Sequence, residues 1–307
     1  MIEINVHPEI PGVSWEYFVN FAPMYSIALD GYVIDSPKYN HSRILANMNH
    51  HAGVDRLATR ATCAQVLMAI RQGLFRTFRK NNYPYAKVYV NDCDEDVCLS
   101  VFLLNNHSLC EQTISPILNR LVTLEDTLDA TAGAYPFPSD LPALRELAWV
   151  FEPYRQFRMS GQLDKKNSRA YLGVVEDVGG RISRHITGHG QEISLDTTYN
   201  RIGGGNGWVM VKEIGAQART GMLSDGIRAY VSVRELAKGR WAYIMGRLSG
   251  FIPFDLPKIY EVCNAAEIGG IAGDTWGGSD TIGGSPRVGG SRISPEELTK
   301  LIDSIQS

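Results

Sequence analysis

Lys87-Val88-Tyr89-Val90-Asn91-Asp92-Cys93-Asp94-Glu95-Asp96-Val97-Cys98-Leu99-Ser100-Val101-Phe102-Leu103-Leu104 reads as a short apolar strand, an acidic turn and an apolar helix. Carboxylates packed this densely repel one another, and a helix N-terminus offers them only about half a positive charge. A bound divalent cation is the simplest source of the rest. A second polar cluster, Asn49-His50-His51, precedes another helical pattern that runs from about residue 54 to 78, with Leu57, Val66, Leu67, Ile70, Leu74 and Phe75 on its apolar side. Upstream, Tyr25-Ser26-Ile27-Ala28-Leu29-Asp30 reads as a buried strand ending in an acid. Strands alternating with helices predict a doubly wound, mainly parallel sheet, whose ligands gather at the carboxyl ends of the strands. Asp30 and Asp92 to Asp96 lie at such ends.

The pattern changes further along. A helix is expected over about 115 to 129, then the turn-rich Tyr135-Pro136-Phe137-Pro138-Ser139-Asp140-Leu141-Pro142, then a helix to about 158. The reading is an α/β domain over 1–140, a connecting helix and linker over 141–168, and a smaller α+β domain over 169–307. In the last, residues 227–234 and 240–247 alternate as a hairpin turning at Lys238-Gly239. A helix over about 256 to 268 follows. The run Gly203-Gly204-Gly205-Asn206-Gly207 is expected as a loop. Ser294, Pro295 and Glu297 form the signature of a helix start.

With 307 residues, 44% of them hydrophobic, the chain can bury a large core, and a net charge of −3 without a long basic run argues against long duplex nucleic acid. Acidic residues outnumber basic ones in the first 150 positions, and the balance reverses afterwards. The five cysteines form no CxxC pair, so neither a disulfide framework nor a thiolate zinc site is indicated. No stretch approaches a membrane span, the N-terminus lacks a signal-peptide pattern, and a reducing cytoplasm is the expected location.

Hard cations need carboxylates to bridge and cap them, with imidazole as a further ligand, and can activate water for phosphoryl transfer. Asp30, His50, Asp94 and Asp96 are the expected ligands of one or two Mn²⁺ or Mg²⁺ ions. His51 is placed to touch substrate phosphate or move a proton. Gly277, Gly278, Ser279, Gly283, Gly284 and Ser285 could offer unobstructed backbone N–H groups, and Arg287 a fork of donors, to a substrate anion.

These motifs resemble those of the DHH phosphoesterase superfamily, with an exonuclease branch the nearer comparison. Asp92-Cys93-Asp94-Glu95-Asp96-Val97-Cys98-Leu99-Ser100 resembles the family's HxDxDGxxS motif, with Asp92 in the position of His and Val97 in that of Gly. Asp30 corresponds to its lone strand-end Asp, Asn49-His50-His51 to its Asp-His-His triplet, and Asp126 or Asp129 to its helical Asp. Motif order is permuted, because the acidic motif follows the triplet. The 229–234 strand and the glycine run resemble its substrate-binding DHHA1 module. The resemblance implies metal ligation by Asp92 and Asp126 as well, with Asn49 and His51 catalytic. It implies hydrolysis of a phosphodiester or phosphoanhydride in a small nucleotide or short oligonucleotide, without a membrane partner and with a homodimer allowed. The alternatives are a nucleotide-binding or sensing protein with reduced turnover, and a metal-dependent enzyme acting on a non-phosphate substrate.

Overall fold

The computed structural model describes residues 1–111, 115–237, 239–267, 269 and 271–306. The chain is mixed α/β and forms two compact units. The first joins Met1–Gly133 to Pro142–Ile193, and the second joins Ala134–Leu141 to the residues from Ser194 on.

In the first unit the elements run β1 (Ile2–Val6), α1 (Trp15–Phe21), β2 (Ser26–Leu29), β3 (Lys38–Asn40), β4 (Leu45–Met48), α2 (Thr62–Arg71), α3 (Leu74–Thr77), β5 (Arg79–Lys80), β6 (Tyr83–Pro84), β7 (Ala86–Val90), α4 (Glu95–Asn105), α5 (Ser108–Glu111), α6 (Pro116–Ala130), α7 (Pro142–Val150), α8 (Glu152–Met159) and α9 (Ser168–Arg184). Five of the strands form one sheet in the order β1-β7-β2-β4-β3. Its β1–β7, β7–β2 and β2–β4 pairs are parallel, and β3 returns antiparallel to β4. Strand period separates the two faces. Ile27, Leu29, Ala46, Met48, Val88 and Val90 enter the main core, whereas Ala28, Leu45 and Tyr89 join Phe18 of α1 in a smaller one. Both faces are therefore covered, which explains why β2 and β4 are buried along their whole length. Helix α4, buried on all sides from Val97 to Leu104, is enclosed by α2, α6 and α9.

Three expectations are corrected here. The helix expected over 54–78 is a 3-10 turn (Arg56–Ala58), α2 and α3. Its break after Arg71 falls at Gly73, which takes φ +98°, a left-handed conformation suited to glycine at a helix end. The helix expected over 142–158 divides at Phe151, because Pro153 in the first turn of α8 has no N–H with which to continue α7. Finally, residues 141–168 are not an interdomain linker. Tyr171, Val174, Val175, Val178 and Ile182 form one helical stripe of α9 that packs into the first core, so the chain stays in that unit until Ile193.

The second unit contains β8 (Tyr199–Gly205), β9 (Trp208–Glu213), α10 (Ala218–Ser224), β10 (Ala229–Leu236), β11 (Arg240–Arg247), α11 (Leu256–Ala266), β12 (Gly277–Gly278), β13 (Ile282–Gly284) and α12 (Pro295–Gln306). Its sheet order is β12-β13-β11-β10-β9-β8, with β9–β10 parallel. The β10–β11 hairpin forms with Ala229 opposite Arg247 and Leu236 opposite Arg240. Lys238 of its turn, and Ile268 at the expected end of α11, lie outside the described residues. The glycines at 203–205 are strand residues, and Asn206-Gly207 makes the two-residue turn to Trp208. The Ser294 hydroxyl accepts from Glu297 N–H while the Glu297 carboxylate accepts from Ser294 N–H, as expected for the start of α12.

Candidate metal centre

Register assembles the site. Leu29 pairs with Met48 and Ala28 with Tyr89, so Asp30, Asn49 and Asn91 emerge level from three adjacent parallel strands. Asp30 N–H donates to Met48 O (2.9 Å), and the chain then turns sharply through left-handed Asp30 (φ +46°) and Gly31 (φ +83°). Aspartate tolerates this conformation better than most side chains, though at some strain, and such strain concentrates at functional sites.

Asp30 Oδ1 accepts from Thr62 Oγ1 at 3.0 Å, and His51 Nε2 lies 2.8 Å from it. His50 is completely buried, with Nε2 2.6 Å from Asp129 Oδ2, 3.5 Å from Asp30 Oδ1 and 3.7 Å from Asp96 Oδ2. Despite that proximity, among the described residues neither His50 Nε2 nor Asp129 Oδ2 has a well-aligned hydrogen-bond partner, and His50 Nδ1 has none either. One ligand atom from each of Asp30, His50, Asp96 and Asp129 lies within 4.8 Å of the others, as does one from each of Asp30, His50 and His51. Oxygen and nitrogen ligands held about 2.0–2.4 Å from one ion span such distances. Buried polar atoms that converge without satisfying one another thus fit a divalent cation.

Helix positions explain the carboxylates. Asp96, in the first turn of α4, accepts Thr62 N–H at 2.7 Å and Cys63 N–H at 2.6 Å, capping α2, whose own N-cap residue Ala61 has no side-chain acceptor. Asp126 accepts Ala61 N–H at 2.7 Å and faces Arg60. Asp126 therefore finishes the helix cap, and Asp129 takes the position beside His50, held by Arg56 Nη2 at 2.8 Å. This corrects the assignment of Asp126 as a ligand.

Asp94 Oδ1 caps α4 through Val97 N–H at 2.9 Å, and Asp92 Oδ1 accepts Cys93 N–H at 2.7 Å. Both line an adjoining cavity with Asp30, Gly31, His51, Asn91 and Lys166, outside the four-atom cluster. Asn49 is corrected more strongly. It is fully buried, its amide donates to Val33 O and Asp35 O, and its side-chain oxygen accepts His51 N–H. All its side-chain polar atoms are engaged in shaping the turn that carries the histidines.

The electrostatics express crowding. Burial pushes the Asp96 and Glu125 carboxyls well above their ordinary range, and neighbouring carboxylates push further. Loss of water raises Asp94 and Asp92 in the same way, and lifts Glu95 to about 7. Burial opposes ionisation of Asp30 too, but the adjacent His50 and His51 imidazoles outweigh it and hold Asp30 low. His50 is raised to about 9, because Asp129 and Asp30 overcome a desolvation that acts the other way. Cationic charge is in demand here, and the imidazoles supply it only in part.

The glycine run belongs to the second unit, and its backbone is engaged in that unit's own structure. Gly277 pairs with Gly284 and Gly278 with Gly283, while Ser279 N–H donates to Ile282 O. A Cβ at Gly283 would lie 2.1 Å from the Tyr260 hydroxyl, which explains that glycine by packing. Ser285 exchanges hydrogen bonds with Tyr243. The N–H groups of Arg287, Val288 and Gly289 all donate to the Asp274 carboxylate, so an internal anion already fills the nest expected for substrate.

Thr62, Arg56, Glu125 and Lys166 were not singled out from sequence. Glu125 and Asp129, four apart on α6, carried the one available signal. Among the described residues no helix is long and apolar enough to cross a membrane. The chain matches no protein-family model and no curated protein.

Proposed function

We propose that the first unit is a Mn²⁺- or Mg²⁺-dependent phosphoesterase that hydrolyses a phosphodiester or phosphoanhydride of a small nucleotide or short oligonucleotide. The observation that carries the reading is the convergence of His50 Nε2 with Asp30, Asp96 and Asp129 oxygens within 4.8 Å, beside a cavity that admits solvent. Resemblance to the DHH phosphoesterases supports the same reading.

Asp30, His50, Asp96 and Asp129 would hold the ion, which when bound supplies Lewis acidity toward a phosphoryl oxygen and a more acidic water. Asp96 is fixed for this by the α2 N–H groups, and Asp129 by Arg56. His51 lines the cavity and is hydrogen-bonded to Asp30 through Nε2, so it can take or give a proton at its other ring nitrogen, Nδ1, with Asp30 orienting the ring. Asp92 and Asp94 line the same cavity and hold their oxygens on its wall through Cys93 and Val97 N–H.

A second reading, binding or sensing of a nucleotide with little turnover, is favoured by one observation. A neutral, fully engaged Asn49 stands where the resembling family has an acid. Calorimetric titration with Mn²⁺ and Mg²⁺, followed by assay against phosphomonoesters, dinucleotides and nucleoside polyphosphates, separates the readings. The phosphoesterase proposal expects cation binding and chelator-sensitive hydrolysis. Hydrolysis that persists in chelator, or cation binding with no turnover of any ester, would refute it.

A further inference from the structure

We infer that Lys166 is the anion-binding residue of this site, and that the substrate is a phosphate ester of about mononucleotide size whose phosphate lies between Lys166 and His51. The inference rests on the phosphoesterase reading and deepens it. The cavity beside the metal cluster measures about 350 Å³, at the small end of ligand pockets. Its lining divides by chemistry. Pro8, Ile10 and Pro11 form an apolar wall, and Asp30, His51, Asn91, Asp92, Asp94 and Lys166 form a polar one.

Among the described residues, Lys166 is the only lining side chain with a permanent positive charge. Among the described residues its ammonium makes no hydrogen bond or ion pair, although Asp92 and Asp94 line the same cavity. A phosphate arriving beside two carboxylates meets repulsion that a metal ion only partly offsets, and a free ammonium offsets more of it.

The backbone argues the same way. Lys166 takes φ +48°, a left-handed conformation that glycine or asparagine adopts with little strain and lysine does not. The surrounding chain enforces it. Lys166 N–H donates to Leu163 O, the Tyr171 hydroxyl holds that same carbonyl, and Asn167 caps α9 through Ala170 N–H. The apolar part of the lining is fixed too, because Asn91 Nδ2 donates to Ile10 O and His7 N–H to Val90 O. A proline-rich apolar lining in the same cavity as a cation, beside the candidate metal cluster, suits an ester that carries a flat apolar group, a base or an aryl ring, on its phosphate.

The test is calorimetric binding of inorganic phosphate and of phenyl phosphate to the full chain saturated with Mn²⁺. Lys166→Asn keeps the left-handed backbone and removes the charge, whereas Lys166→Arg keeps the charge. The expected result is a loss of about ten- to a hundredfold in phosphate affinity for Lys166→Asn. Lys166→Arg should stay within about threefold of wild type, Mn²⁺ affinity should be unchanged in both, and phenyl phosphate should bind more tightly than phosphate. Wild-type phosphate affinity in Lys166→Asn, with Mn²⁺ still bound, overturns this inference alone. Failure of the wild-type chain to bind Mn²⁺ removes the phosphoesterase reading and this inference together.

Discussion

Neutralising Asp129 separates the observed site from the one the sequence suggested, because Asp126 lies only three residues away and performs a different task. Asp129 Oδ2 is 2.6 Å from His50 Nε2, while Asp126 Oδ1 accepts Ala61 N–H. In the metal-free protein, Asp129 and Asp30 together raise His50 from 6.5 to about 9 against an opposing desolvation, a stabilisation complete below the ordinary histidine range and lost as pH rises through about 9. Asp129→Asn forfeits part of that attraction and relieves repulsion on Asp96 and Glu125, so the metal-free variant should lose about 1–3 kcal/mol of stability. The effect on metal should be larger. Loss of a second-sphere partner alone costs about 10- to 100-fold in metal affinity, so loss of a ligand oxygen should cost at least that. Asp126→Asn should leave Mn²⁺ affinity within about threefold of wild type and stability within about 0.5 kcal/mol, because the amide oxygen can still accept Ala61 N–H. Titration calorimetry with Mn²⁺ at pH 7.5, alongside urea unfolding without metal, measures both quantities. The reasoning fails if Asp129→Asn binds Mn²⁺ as wild type does, or if Asp126→Asn is the variant that loses it.

Further outcomes follow from the same contacts. Glu95, Asp94, Asp96 and Glu125 have folded values above their unfolded ones, so they favour folding when protonated. That contribution is complete below the ordinary carboxylate range and is lost as pH rises, for Glu95 through about 7. A divalent cation opposes this loss, and the rise in melting temperature on adding Mn²⁺ should therefore grow between pH 5 and pH 8; a constant or shrinking rise would contradict it. Asn49→Asp should destabilise by about 2–4 kcal/mol in chemical denaturation, because a carboxylate would face the Val33 and Asp35 carbonyls where an amide now donates. Tighter Mn²⁺ binding with undiminished stability would show instead that residue 49 serves the metal directly. Asp274→Ala removes the shared acceptor of the Arg287, Val288 and Gly289 N–H groups and should cost about 1–3 kcal/mol, read as earlier urea unfolding; unchanged unfolding would mean that water replaces the carboxylate at no cost.

The strand ends were legible because parallel strands buried on both faces announce themselves as short apolar runs, and each here ends in polar residues. Asp30, His50 and Asp96 were readable on that ground alone. Asp129 was not separable from Asp126, since both lie on α6 and only the packing of α2 decides which faces His50 and which caps Ala61. Asn49 looked like a degraded acid until its two carbonyl partners, at 33 and 35, were brought beside it by the β2–β4 connection. The stripe of apolar residues in α9 was present in the sequence, yet the polar stretch before it read as a boundary; the tertiary core, not local composition, assigns that helix to the first unit. The glycine run showed the converse. Glycines that suggested an open anion loop are required by close packing on Tyr260 and by strand pairing, which only the assembled sheet reveals.

Anomalous diffraction from crystals grown with Mn²⁺ tests the central claim most directly. A manganese peak is expected about 2.0–2.4 Å from His50 Nε2 and from oxygens of Asp30, Asp96 and Asp129. Crystals with Mn²⁺ in excess that show no peak at these four residues, or a peak held only by Asp92 or Asp126, would contradict it.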